Sequence, residues 1–258
     1  MISFVGAGPG APDLLTFRAA DRLARADIVI WASSLVPEAV LEHCRTDVRL
    51  HDSKAMTLDE VCAVYAAHPQ AAIVRLHSGD PTVFSAIGEQ VAWCQANGRD
   101  FEIVPGVSSA HAAAAVAGAE LTIPGVAQSV VLTRLAARTR ASMPEREAIE
   151  AFARTGATLA LFLSIGQVEE LAERLLGEGT GYTGDTPVAV VHRATWPEQR
   201  LLRTTIAHMA ADTRTAGFDA TTMFLIGPAL AGATDQRSHV YDPAYTTRFR
   251  PALRGNGG

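Results

Sequence analysis

An acid that follows an apolar run and a glycine is a candidate for ligand contact at the edge of a sheet. The run Ile73-Val74-Arg75-Leu76-His77 stops at Ser78-Gly79-Asp80-Pro81, with Thr82-Val83 next. Gly79 permits a backbone turn that a Cβ would oppose, and Pro81 fixes its own φ while holding Asp80 extended. Asp80 is thereby left at the carboxyl end of a strand, where it either caps the next helix or faces a ligand. A second glycine-rich loop, Gly6-Ala7-Gly8-Pro9-Gly10-Ala11-Pro12-Asp13, follows the opening apolar stretch. Gly6, Gly8 and Ala11 satisfy the dinucleotide fingerprint in form. However, Pro9 and Pro12 stand where a helix should donate amides to a pyrophosphate, and the second strand runs into Ala32-Ser33-Ser34 instead of a ribose-binding acid. A nicotinamide or flavin is disfavoured, and the loop is left as one whose backbone can approach some other ligand. A third segment, Pro105-Gly106-Val107-Ser108-Ser109, opens a helix. No Gly-x-Ser-x-Gly elbow surrounds its serines, so capping is their default use.

The eight histidines are scattered without metal-ligand spacing, and no protein-held metal is expected. His77 beside the Gly79-Asp80 turn reads either as a ligand contact or as a hydrogen-bonded strand end. Arg134, Arg138 and Arg140 follow one strand end and Arg193 another. They are open to two readings, solvated surface charges or a wall that binds carboxylates. Lys54 is the only lysine among 22 basic residues, a bias that codon composition explains and that carries no functional weight.

The elements that must position these residues alternate. Strands are expected near Ile2–Val5, Ile28–Trp31, Val48–Leu50, Ile73–His77 and Phe101–Val104. Helices between them include Leu14 to Ala24, with Leu14, Phe17 and Leu23 on one face, and one opened by the capping-box spacing of Thr57 and Glu60. Alternation of this kind implies an α/β fold with a mainly parallel sheet and right-handed crossovers, so the three loops converge on one edge. Thr122, Pro124 and Gly125 mark a hinge into a second α/β unit with a mixed sheet. Its strands are expected at Ser129–Thr133, Thr158–Leu163, Pro187–Val191, Leu201–Thr205 and Thr222–Ile226, with helices at Glu145–Arg154, Val168–Leu176 and Ile206–Arg214. The expected organisation is an N-terminal domain over 1–117, a C-terminal domain over 118–230 and a polar tail over 231–258.

With 258 residues and 48% hydrophobic content, the chain can bury a sizeable core without staples. Cys44, Cys62 and Cys94 form no disulfide framework and suit a reducing cytoplasm. The apolar start Met1-Ile2-Ser3-Phe4-Val5 has no basic leader before it, and the Ala110–Ala119 run is too short to span a membrane, so a soluble protein without a membrane partner is expected. A net charge of −5 and a pI near 5.9 argue against a nucleic-acid partner.

Taken in order, Val5-Gly6-Ala7-Gly8-Pro9-Gly10, Ser78-Gly79-Asp80-Pro81, Pro105-Gly106-Val107-Ser108-Ser109 and Pro187 through Thr195 resemble the tetrapyrrole methylase family, from Ile2 to about Gly227. Within it, Ser33-Ser34-Leu35-Val36, His51-Asp52-Ser53, Met56-Thr57-Leu58, Pro124 to Arg134, Met143-Pro144-Glu145, Arg193-Ala194-Thr195-Trp196-Pro197 and Tyr241-Asp242-Pro243 to Arg250 are similar to members that methylate C11 of precorrin-4 in cobalamin synthesis. The resemblance implies two α/β domains, a homodimer, a tetrapyrrole substrate and S-adenosylmethionine in a trough between the domains. It places cofactor contacts at Pro9, Ser78, Gly79, Asp80, Val83, Ser108, Ser109, Leu163 and Ala194. It also implies substrate carboxylates held by Arg134, Arg138, Arg140 and Arg193, with Asp80 the one candidate for a catalytic group. Leu163 stands where some members carry methionine, a volume-conserving change, and Ala194 where some carry glycine, which narrows the pocket.

Such a reaction needs little from side chains, because a sulfonium already activates its methyl and positioning alone contributes about 7 to 11 kcal/mol. Three other activities keep the same fold: a sister methylase acting on uroporphyrinogen or another precorrin carbon, a relative that methylates protein or ribosomal RNA, and a module that binds S-adenosylmethionine without turnover.

Overall fold

The computed structural model describes residues 1–135, 143–232, 238 and 241–252. The chain divides into two compact units, one of Met1–Ala117 with Val191–Leu201 and Phe218–Met223, the other of Gly118–Val190, Leu202–Gly217 and Phe224–Gly258.

The first unit is built on five strands, β1 (Ile2–Gly6), β2 (Ile28–Trp31), β3 (Arg49–Asp52), β4 (Ile73–His77) and β5 (Phe101–Val104), in the order β3-β2-β4-β1-β5. Every pairing is parallel, so all five carboxyl ends lie on one edge. Alternation along the strands feeds two cores. Val5, Val29, Val74, Leu76 and Val104 pack on one face with Ala19 and Leu23 of α1 (Phe17–Ala24) and with Val40 of the 3-10 helix Glu38–His43. Ile2, Phe4, Ile28, Ile30 and Ile73 pack on the other face with Val61, Cys62 and Tyr65 of α2 (Leu58–Ala67) and Cys94 of α3 (Ile87–Ala96). Connections from β1 and β2 therefore cover one face, and those from β3 and β4 the other, as right-handed crossovers require. Because β4 and β1 are neighbours whose chains leave toward opposite faces, a crevice opens between their carboxyl ends.

The expected capping box is present, with Thr57 Oγ1 accepting from Glu60 N and the Glu60 carboxylate accepting from Thr57 N. The first helix differs from expectation. Residues Pro12–Leu14 form a separate 3-10 turn, and Thr16 caps a shorter α1. That break rotates Phe17 off the buried face, where it is 98% exposed, and leaves Ala19 and Leu23 to pack. The Ala-rich segment forms α4 (Ser109–Val116), whose small side chains let it bury Ala110, Ala112, Ala113 and Ala114 closely.

The second sheet has the order β6-β7-β10-β8-β9, from β6 (Val130–Arg134), β7 (Thr158–Phe162), β8 (Pro187–His192), β9 (Arg200–Thr205) and β10 (Thr222–Ile226). It is mixed, since β6 pairs β7 in parallel and β7 pairs β10 antiparallel. Leu159, Leu161, Phe224 and Leu225 are wholly buried at its centre. The helix expected over Glu145–Arg154 is a 3-10 turn, Glu145–Glu147, followed by α5 (Ile149–Ala153); α6 spans Val168–Leu175. The helix expected from Ile206 begins later, as α7 (Met209–Ala216), and stops at Gly217, which takes a left-handed φ of 65°. Tyr241 and Phe249 in the C-terminal stretch are exposed. No described helix is long and apolar enough to cross a membrane.

Candidate functional site

At the carboxyl edge of the first sheet, the loops after β1, β4 and β5 are locked together by their backbones. Gly8 N donates to Gly79 O at 3.2 Å and Gly79 N to Gly8 O at 2.8 Å, a two-bond bridge between the first two loops. Ala7 N donates to His77 O at 2.7 Å just below it. Glycine is required here by contact. A Cβ on Gly106 would lie 2.3 Å from Gly79 O, and one on Gly6 would lie 2.6 Å from the Gly106 backbone. Gly79 itself has φ +68°, which turns the chain at the end of β4.

Asp80 staples the second loop to the third. One carboxylate oxygen accepts from Thr82 N at 2.8 Å and from the Thr82 hydroxyl, and the other accepts from Gly106 N at 2.9 Å. Desolvation alone would raise its pKa, but the Thr82 and Gly106 donors together outweigh burial and hold it below the ordinary carboxylate value. Both oxygens being engaged by protein donors, Asp80 shapes the cradle as an anion. Ser108 caps α4, its Oγ accepting from Ala110 N at 3.4 Å, and Ser109 Oγ stands 3.2 Å from where a Gly79 Cβ would be. Val83 is half-buried in the second loop, and Pro9 is buried in the first.

A fourth segment, Arg193 to Gln199, closes on the first loop. Ala11 N donates to Thr195 Oγ1 at 3.0 Å, and Trp196 Nε1 donates to Pro9 O at 2.9 Å. A Cβ on Gly10 would sit 2.2 Å from the Trp196 indole. The segment takes left-handed backbone at Arg193 (φ 47°) and Thr195 (φ 69°), a costly conformation for a β-branched residue and one that structures retain at ligand sites. Buried Ala194 lies between them. Thr82, Gly106, Thr195 and Trp196 were not singled out for a role by sequence reasoning. The signal for Trp196 was its place in a motif, while its contact with Pro9 spans 187 residues and has no local signature.

His77 is neither solvent-facing nor hydrogen-bonded through Nε2, which is buried without a partner. The expected hydrogen-bonded strand end is therefore replaced by packing, with the ring 6.3 Å from that of Phe4. Burial, aided by the Arg75 charge, pushes its pKa down to about 3, so it is neutral at physiological pH.

The arginines are placed unequally. Arg193 stacks 5.6 Å above the Trp196 ring and is 3.7 Å from Glu198. Arg134 lines an open cavity in the second unit with Met143, Glu145, Glu147, Glu150 and Arg174, an acid-rich surrounding. Arg138 and Arg140 lie outside the described residues. Leu163 is in the second unit, 66% exposed, with φ 52°. No group of three metal-ligating side chains occurs among the described residues.

A family model described as Tetrapyrrole (Corrin/Porphyrin) Methylases matches residues 1–210. The chain belongs to that family. It is 41% identical over 251 residues to a precorrin-4 C(11)-methyltransferase of a Sinorhizobium species, covering 96% of this chain and 98% of the relative. It is 37% identical to the cobalt-precorrin-4 C(11)-methyltransferase of Methanocaldococcus jannaschii, over 96% of this chain and 95% of that one. Among solved structures, the cobalt precorrin-4 methyltransferase CbiF superposes with a TM-score of 0.85 at 38% identity, covering 89% of this chain and 95% of that chain. A uroporphyrin-III C-methyl transferase from Thermus thermophilus, complexed with S-adenyl homocysteine, gives 0.74 at 27% identity, over 89% and 98%. The two α/β units, one sheet parallel and one mixed, are those of the tetrapyrrole methylase fold. The ligand this family uses is S-adenosylmethionine, and the first loop runs into the 3-10 turn Pro12–Leu14, not into a helix whose free amides could hold a pyrophosphate.

Proposed function

We propose that this protein transfers the methyl group of S-adenosylmethionine to C11 of precorrin-4 or its cobalt form. The observation that carries this reading is the three-loop cradle at the β4/β1 crevice, in a chain alike over nearly its whole length to C11-methyltransferases of both kinds. Pro9, Ser78, Gly79, Asp80, Val83, Ser108, Ser109 and Ala194 are the residues we assign to holding the cofactor.

When bound, S-adenosylmethionine supplies a sulfonium whose methyl is already activated. The protein's part is to fix that methyl on the line between sulfur and the attacking carbon and to keep water away from it. The Gly8–Gly79 bridge and the Asp80 staple prevent the loops from drifting apart, and Thr195 with Trp196 hold the first loop down. Fixed geometry of this kind is where the rate enhancement of an in-line transfer arises. Arg193, at the rim of the clamp, is offered for a substrate carboxylate. The reading includes a homodimer working in the cytoplasm, in keeping with three free thiols.

The deciding experiment incubates the protein with labelled S-adenosylmethionine and, separately, precorrin-4, its cobalt complex and uroporphyrinogen. Product mass and NMR should locate the new methyl at C11. Methylation of uroporphyrinogen alone would assign the sister activity, and binding of S-adenosylhomocysteine without any methylated product would assign a non-catalytic module.

A further inference from the structure

Two stretches at the same ligand edge have no part in the cofactor cradle: Ser33 after β2, and Asp52-Ser53-Lys54 at the end of β3. They meet. Trp31 pairs with Asp52 in the sheet, and the Asp52 carboxylate accepts from Ser33 N at 3.1 Å, Ser33 Oγ at 2.6 Å and Lys54 N at 3.1 Å, with Lys54 Nζ 3.2 Å away. Asp52 begins the turn on which Lys54 sits, and the turn is anchored from inside. Ser53 Oγ donates to Trp31 O at 2.9 Å and accepts from Nη1 of Arg75 at 3.0 Å. The result is a carboxylate held rigidly at the edge with a third of its side chain open to solvent. On the same edge, Leu35 and Phe84 expose apolar surface from the loops after β2 and β4, at 45% and 47%. Strand spacing sets Asp52 about 10 Å from the β4 loop, since β2 lies between them. A tetrapyrrole macrocycle reacting over the crevice would span that distance.

The chemistry of the transfer says what a fixed anion there would do. As the S–CH3 bond breaks, its electron pair stays on sulfur, and the C–CH3 bond forms from the π pair of a pyrrolic carbon. The conjugated ring nitrogen becomes cationic until its proton leaves to solvent. Resting on the methyltransferase reading above, we propose that Asp52, oriented by Ser33, is the fixed negative charge that stabilises this cationic ring nitrogen. The Ser33 hydroxyl has its one hydrogen committed to Asp52, so it offers only lone pairs outward and accepts from the ring N–H. Its four donors hold the carboxyl far below the ordinary range, so Asp52 stays ionised and acts by charge, not as a proton acceptor.

The bland role for Asp52 is to cap the turn, and Asp52→Asn separates the two because asparagine caps as well as aspartate but carries no charge. With precorrin-4 as substrate, the single-turnover rate at saturating S-adenosylmethionine should fall about tenfold or more, a loss of roughly 1.4 kcal/mol in barrier terms. Ser33→Ala should give a smaller loss and Ser33→Thr should restore it. Calorimetric affinity for S-adenosylhomocysteine and the melting temperature should stay at their wild-type values in all three. A rate within twofold of wild type for Asp52→Asn, or a variant that melts early with its folded fraction fully active, would overturn the proposal and leave the methyltransferase reading standing. A wild-type protein that binds S-adenosylhomocysteine yet methylates no tetrapyrrole would overturn both.

Discussion

Asp80 and His77 sit three residues apart on one strand end and answer to pH for opposite reasons. Asp80 is an anion held by hydrogen bonds that its neutral form would lose. Its folded pKa lies below the unfolded value, so the stability it contributes is present above about pH 4 and is lost as pH falls through the folded value. Replacing it with alanine orphans the Gly106 amide, at a cost of about 1 to 3 kcal/mol, and loosens the cradle. Calorimetry should show weakened S-adenosylhomocysteine binding at neutral pH, and the difference in melting temperature from wild type should shrink below pH 4. His77 is buried neutral, with a folded pKa of about 3 against 6.5 unfolded. The unfolded state therefore binds the extra proton, and stability is lost progressively as pH falls from about 6.5 toward 3, by an amount of order several kcal/mol. His77→Gln should flatten that acid slope in urea titrations; an unchanged slope would mean that His77 is not the group responsible.

At the scale of elements, the strand ends were legible because glycine and proline stop apolar runs at Gly6, Gly79 and Gly106. Which strands are neighbours was not, since the order β3-β2-β4-β1-β5 is set by crossovers and by which face each helix covers, not by any local pattern. The same limit hid the contact between Trp196 and the first loop. Phe17 shows the converse error, where local periodicity ran through a break at Leu15 and Thr16 and assigned an exposed ring to the core. Strand order has a direct consequence for substitution. Gly106→Ala would drive a methyl to 2.3 Å from Gly79 O; Gly79 is bridged to Gly8 and the Gly106 amide is held by Asp80, so neither segment can yield cheaply. The expected result is an early melt and loss of S-adenosylhomocysteine affinity, whereas Gly98→Ala at the end of α3, with open space around it, should cost only its left-handed φ. Trp196→Ala frees Pro9 O and leaves room over Gly10, so cofactor affinity should fall while the melting temperature changes little.

For the whole molecule the charge balance poses the remaining question, because a net charge of −5 repels a substrate that carries several carboxylates. Binding must then rely on local basic groups, and the structure ranks the two described candidates. Arg134 shares its cavity with Glu145, Glu147 and Glu150, which would repel an incoming carboxylate. Arg193 faces one acid, Glu198, at a loose 3.7 Å, and its guanidinium is held over Trp196. A substrate carboxylate can displace so weak a partner at little cost. The contact stays near solvent, and an exposed pair contributes no more than about 1 kcal/mol, so Arg193→Ala should raise KM for the tetrapyrrole severalfold and leave kcat and S-adenosylhomocysteine affinity unchanged. Arg134→Ala should do less. Added salt screens exposed charges, so wild-type KM should climb between 0.05 and roughly 0.3 M ionic strength, and the Arg193 variant should climb less steeply. Equal salt dependence in the two proteins would place the carboxylate elsewhere, with Arg138 and Arg140 the next side chains to replace.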